Sequence, residues 1–155
     1  MIHKLTCEQI VPADIETCWE FFSNPANLAR ITPDNLGFQI RGDPPSHIYP
    51  GLMIEYRVRP LFGIPLSWLT EITYCERPRY FCDEQRVGPY AIWHHEHFFE
   101  PLDDGRVRMR DLIHYQLPLS PLSECIHPLL VAPQLRAIFD YRKSAVEDAF
   151  GPAQR

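Results

Sequence analysis

Two histidines two positions apart, His95 and His97, together with the acceptors Asp83, Gln85 and Asp111, are the side chains whose types and spacing could do chemistry in this chain. An imidazole held by a carboxylate keeps one tautomer and titrates near neutral pH, which is what general acid/base catalysis needs. The catalytic candidates on this reading are His95, His97 and Asp111. The same pairing equally makes a buried network that satisfies its own hydrogen bonds and orients a ligand's carbonyl or hydroxyl. His95 and His97 with Asp83 or Asp111 also match the residue types of a two-histidine, one-carboxylate metal site. A His-x-His pair on a strand without further ligands is a weak signal, so no metal and no cofactor are expected. No motif supports a serine or cysteine nucleophile.

These residues need strands to bring them together. With a period of two, four segments keep one face: Trp68, Thr70, Ile72 and Tyr74; Phe81, Asp83, Gln85 and Val87; Trp93, His95, His97 and Phe99; Met109, Asp111, Ile113 and Tyr115. The complementary face carries Glu71, Thr73, Glu84, Arg86, His94, Glu96, Arg108, Arg110 and His114, as a solvated face should. A face of large aromatics dotted with Asp, Gln and His describes a lined cavity better than a solid core, because unpaired polar groups are costly to bury.

Turns set the register, and a one-residue slip would turn a whole strand over. Leu102-Asp103-Asp104-Gly105-Arg106 reads as a three-residue loop with glycine in the left-handed conformation. It pairs Phe99 with Met109, His97 with Asp111, His95 with Ile113 and Trp93 with Tyr115. A four-residue loop Glu76-Arg77-Pro78-Arg79 sets Tyr74 against Phe81, Ile72 against Asp83 and Thr70 against Gln85. A three-residue loop between Val87 and Ala91 sets Asp83 opposite His95 and Gln85 opposite Trp93.

A chain of 155 residues is long enough to bury a core and is expected to form one domain, 1–155. Its net charge of −5, without a Lys/Arg cluster, argues against nucleic acid as a partner. No stretch has the length of a membrane span, and the N-terminus carries no signal-peptide pattern. Five cysteines without metal or redox spacing (Cys7, Cys18, Cys75, Cys82, Cys125) fit free thiols in a reducing cytoplasm, the expected location.

Along the chain, Ile2 to Val11 alternates as a first strand. Asp14 caps a short helix through Trp19 and Phe22, and Asn24-Pro25 opens a second short helix through Leu28 and Ile31. Leu36 to Arg41 reads as a strand, as does the alternation of Ile54, Tyr56 and Val58. The apolar turn from Pro60 to Pro65, with Phe62 and Gly63 at its tip, is placed either at a ligand entrance or tucked onto the body. Prolines at 121, 128 and 133 break the approach to a terminal amphipathic helix from Pro133 to Phe150.

The segments Pro12-x-x-x-x-x-x-Trp19-x-Phe21-Phe22-x-Asn24-Pro25-x-Asn27-Leu28, Ile31-Thr32-Pro33, Trp68-x-Thr70-Glu71-Ile72, Phe81-x-Asp83-Glu84-Gln85-x-x-Gly88-Pro89-Tyr90, Trp93-x-His95-x-His97-x-Phe99 and Phe139-x-Tyr141-Arg142 give nearly the whole chain a resemblance. It resembles the START/Bet v 1-like (SRPBCC, helix-grip) superfamily, and more closely its bacterial branch of ligand-binding or polyketide cyclase/dehydrase-like proteins. The resemblance implies an α+β fold in which a curved antiparallel sheet wraps a long C-terminal helix, with two short helices after the first strand. It implies a cavity for a hydrophobic or amphipathic small molecule, lined by Tyr56, Trp68, Phe81, Trp93, Phe99, Tyr115 and Phe139. The polar anchor would be Asp83, Gln85, His95, His97 and Asp111, with Thr70 beside them. An enzyme of the cyclase or dehydratase type is the alternative, and a regulatory protein-interaction module the third. Some relatives are joined to nucleotide-sugar epimerase-like domains, whose glycine-rich phosphate fingerprint this chain lacks.

Overall fold

The computed structural model describes residues 1–60 and 63–152. The strands are β1 (His3–Val11), β2 (Gln39–Arg41), β3 (Met53–Val58), β4 (Leu66–Glu76), β5 (Tyr80–Val87), β6 (Ile92–Pro101) and β7 (Val107–Gln116), and the α-helices are α1 (Ile15–Phe22) and α2 (Ala132–Phe150). They form one antiparallel sheet in the order β1-β7-β6-β5-β4-β3-β2. This is the curved sheet and long C-terminal helix of the helix-grip arrangement.

The first helix starts where Asp14 accepts a hydrogen bond from the Thr17 backbone N–H at 3.0 Å, the expected cap. Eight residues are too few for a stable isolated helix, so α1 depends on burying Trp19 and Phe22 against the sheet. Burying each ring contributes about 2–3 kcal/mol. The second short helix is a 3₁₀ segment, Pro25–Ile31, capped by Asn24 on the Ala26 N–H. The expected strand from Leu36 shortens to Gln39–Arg41, because Asp34–Leu36 forms a 3₁₀ turn closed by Gly37 at φ 52°. The approach to α2 is broken as expected, into a 3₁₀ turn at Leu122–Cys125 and a π-helical turn at His127–Val131.

The β6–β7 register agrees at all four expected pairs, from Trp93–Tyr115 to Phe99–Met109, and Gly105 takes φ 80° in the loop. The β4–β5 hairpin departs near its turn and then recovers. Glu76 pairs with Tyr80, leaving a three-residue loop rather than four, so Tyr74 faces Cys82 and Cys75 faces Phe81. A bulge at Thr73 inserts one residue and restores Ile72–Asp83 and Thr70–Gln85. The price of the bulge is paid in side-chain direction: Tyr74, expected inside, is exposed and packs on Tyr80. At the other end a second irregularity pairs Leu69 with Val87 and leaves Val87 exposed, where the alternation had placed it inside.

Asp83 pairs with His95 as expected, but the β5–β6 ladder ends at Glu84–His94. Gln85 therefore does not face Trp93 across a ladder. All five cysteines are free, with Cys18 fully buried. Among the described residues no helix is long and apolar enough to cross a membrane.

Candidate functional site

Between the concave face of the sheet and α2 lies a cavity of about 210 Å³. Its wall includes Tyr56, Trp68, Thr70, Phe81, Asp83, Trp93, His95, His97 and Phe139 from the expected set. Trp68, Tyr90 and Trp93 pack edge-on or tilted at centroid separations of 4.9–5.7 Å and form one apolar end. The sequence reading did not include the contributions of α1 and the 3₁₀ segment, Phe22, Leu28 and Ile31, nor Ile138 and Arg142 from α2. Arg142 had a legible signal: it follows Leu135 by seven and Phe139 by three and precedes Val146 by four, which puts a cation in an apolar helical stripe. The expected ligand-entrance turn falls on Leu61 and Phe62, which lie outside the described residues. Its flank Pro60 is on the cavity wall, and its carbonyl accepts a hydrogen bond from Gln134 of α2.

Four of the expected residues lie off that wall. Phe99 packs in the core beside Trp19 and Phe22. Tyr115 turns its hydroxyl to His127 at 2.7 Å. Asp111 sits behind the two histidines. Gln85 clamps the following loop, donating to the Tyr90 carbonyl at 2.7 Å and accepting from the Tyr90 N–H at 3.2 Å. Tyr90 thereby joins the wall.

The polar centre is a four-residue network. His95 donates from Nε2 to Asp111 Oδ1 at 2.9 Å, and His97 from Nε2 to Asp83 Oδ2 at 2.9 Å. The directly opposed pairs also meet, but less well. His97 Nδ1 is 2.9 Å from Asp111 Oδ1 without the alignment of a hydrogen bond, and His95 Nδ1 is 3.6 Å from Asp83 Oδ2. The imidazoles lie 3.8 Å apart, and His97 stacks on Phe81 at 3.9 Å.

The two histidines are driven apart in protonation. Burial lowers the His95 pKa, and the charge of His97 pushes the same way, against the pull of Asp111 and Asp83. Burial also works against the His97 imidazolium, but Asp111 and Asp83 together outweigh it and raise the pKa. For Asp111, burial alone would raise the carboxyl pKa. The Arg142 guanidinium and both imidazoles override that and hold it well below the usual carboxylate range. Asp83 is lowered in the same way, burial being overcome by His95 and His97. Of the two rings flanked by the carboxylates, His97 is the one its surroundings favour as the imidazolium and His95 the one they favour as the neutral imidazole.

Among the described residues two groups have metal-ligating atoms within 4.8 Å of one another: Asp83, His95 and His97 inside, and Cys82, Glu84 and His94 on the opposite face of the same strands. On the inner face His97 Nε2 already donates to Asp83 and His95 Nε2 to Asp111. On the outer face, burial pushes the Cys82 thiol up to about 11, which opposes forming the thiolate a metal would bind.

No family model matches the chain, and no curated protein matches it. Solved structures do. A START superfamily protein from Mycobacterium smegmatis superposes with TM-score 0.70 at 12% identity, over 96% of this chain and 97% of that one. A norcoclaurine synthase point mutant from Thalictrum flavum, in complex with a transition state analogue, does so with TM-score 0.64 at 15% identity, over 96% of each chain. A nucleoside-diphosphate sugar epimerase from Corynebacterium glutamicum matches with TM-score 0.65 at 19% identity over 93% of this chain but only 28% of its own length. The fold of this chain is the START/Bet v 1-like helix-grip fold.

Proposed function

We propose that this helix-grip protein binds a compact apolar molecule with one polar end, taking the apolar body against Trp68, Phe81, Trp93 and Phe139 and the polar end at Asp83, His95 and His97. The observation that carries the reading is the coincidence of an aromatic-walled cavity with one buried cluster of hydrogen-bonding groups set in its wall. Asp111 holds the histidines from behind, and Gln85 and Tyr115 support the aromatic end through Tyr90. The superposed norcoclaurine synthase carries a small-molecule analogue, which is consistent with a ligand-holding use of the fold. By the space a single water needs, a cavity of 210 Å³ takes a ligand of about 14–21 non-hydrogen atoms.

Acid/base catalysis is the less supported reading. Nε2 of each ring is taken by a carboxylate, and each Nδ1, though without an aligned hydrogen bond, has a carboxylate oxygen within 3.6 Å that competes with substrate for its proton. A polar anchor needs only an open acceptor, and the Asp83 carboxylate on the cavity wall, which takes one aligned hydrogen bond, keeps lone pairs to offer. The test is titration with the neutral fluorophore N-phenyl-1-naphthylamine, alongside native mass spectrometry of gently purified protein. Saturable fluorescence enhancement by the parent, abolished by Ile138→Trp, which fills the cavity from α2, is the expected result. Enhancement that survives Ile138→Trp, or none in the parent, overturns the reading.

A further inference from the structure

Arg142 stands apart from every other charged group around the cavity. It lies on the cavity wall in the inward stripe of α2, between Phe139 and Val146, which are both buried. Its guanidinium carbon is 5.9 Å from the Phe22 ring and 5.8 Å from the Phe139 ring, so two aromatics hold the head group from the sides. Its Nε is buried with no hydrogen-bond partner, and among the described residues Arg142 makes no ion pair.

The two nearby carboxylates do not fill that role. Asp83 and Asp111 take their aligned hydrogen bonds from His97 and His95, and Arg142 acts on them only through space. A guanidinium presents its N–H donors in a planar fork that matches a carboxylate. Leaving the buried Nε of this fork unmatched in an apolar wall costs free energy that a bound acceptor would recover.

We propose that Arg142 receives the carboxylate of a compact aromatic acid bound in the cavity, the aromatic body lying against Trp68 and Trp93. This rests on the ligand-binding reading above and adds to its molecule a second polar group, a charged one. The Asp83–His95–His97 cluster is then left to a neutral polar group of the same molecule.

The test uses a matched pair, 2-naphthylacetic acid and 2-naphthylacetamide, which share shape and size and differ in charge. Isothermal titration of the parent is expected to give at least about tenfold tighter binding of the acid. Arg142→Gln should bring the two affinities to within about twofold by weakening the acid alone, and Arg142→Lys should keep part of the preference. Equal affinities in the parent, or an acid preference that survives in Arg142→Gln, overturn the proposal, and the parent comparison decides even if that variant does not fold. If N-phenyl-1-naphthylamine binds and the acid does not, only the role of Arg142 fails. If none of the three binds, the cavity reading fails and takes this one with it.

Discussion

His95 is hydrogen-bonded to Asp111 at 2.9 Å although the backbone pairs His95 with Ile113, two residues further along β7. The contact is diagonal, and so is the aligned bond between His97 and Asp83, whose backbone partners are Phe81 and His95 respectively. Diagonal neighbours in a sheet are within reach of long side chains, and strand twist brings one diagonal closer than the other. Asp111 thus supports both histidines, and Asp111→Asn is expected to lower the pKa of each, read by NMR of the imidazoles. Because it leaves a buried network half-paired, the same change should cost roughly 3–5 kcal/mol in chemical denaturation. Unchanged histidine titrations would refute the shared role of Asp111.

The pH dependence should split between the two rings. His97, raised above its ordinary 6.5, contributes stability that is fully present below pH 6.5 and is lost as pH rises through its folded value. His95, lowered below 6.5, acts in the opposite sense and costs stability as pH falls from 6.5. Asp111 and Asp83, lowered from 3.8, contribute stability present above pH 3.8 and lost as pH falls through their folded values. NMR titration should therefore find the His97 midpoint above 6.5 and the His95 midpoint below it. The reverse order would contradict the assignment.

Gly88 is held without a side chain by its neighbour rather than by its own backbone. A Cβ there would lie 2.4 Å from Gln85 Oε1, the atom that accepts from the Tyr90 N–H. Gly88→Ala should displace the Gln85 amide and cost about 1–2 kcal/mol for two hydrogen bonds. Gln85→Ala should cost about the same, and the double variant little more than either alone, since both break one clamp. Additive losses in urea denaturation would show that the clamp is not shared.

Two buried aromatics separate the ligand wall from the core. Phe99 and Trp93 are 2% and 9% exposed, yet only Trp93 lines the cavity. Truncation to alanine should destabilise either variant by about 3–5 kcal/mol. Binding of N-phenyl-1-naphthylamine by the folded fraction should weaken in Trp93→Ala and stay near the parent value in Phe99→Ala. Equal effects on binding would mean that the cavity is not the binding site.

What the sequence alone determined was the inward faces of β6 and β7, the Phe81 and Asp83 positions of β5, and the pairing around His95, His97, Asp83 and Asp111. Alternation with a period of two and a Gly105 turn of fixed length are local properties, and together they constrain a hydrogen-bonded ladder to one register. The helix caps at Asp14 and Asn24 were legible for the same reason. The bulge at Thr73 was not, because a compensating extra residue leaves the distal pairs Ile72–Asp83 and Thr70–Gln85 unchanged while exposing Tyr74. Tertiary structure alone decided the crossed histidine–aspartate bonds, which depend on sheet twist, and the removal of Phe99, Tyr115 and Gln85 from the cavity wall. It also decided that Arg142 faces the cavity between Phe22 and Phe139: those two rings are far apart in sequence, and only the packing of α2 beside α1 brings them to one guanidinium.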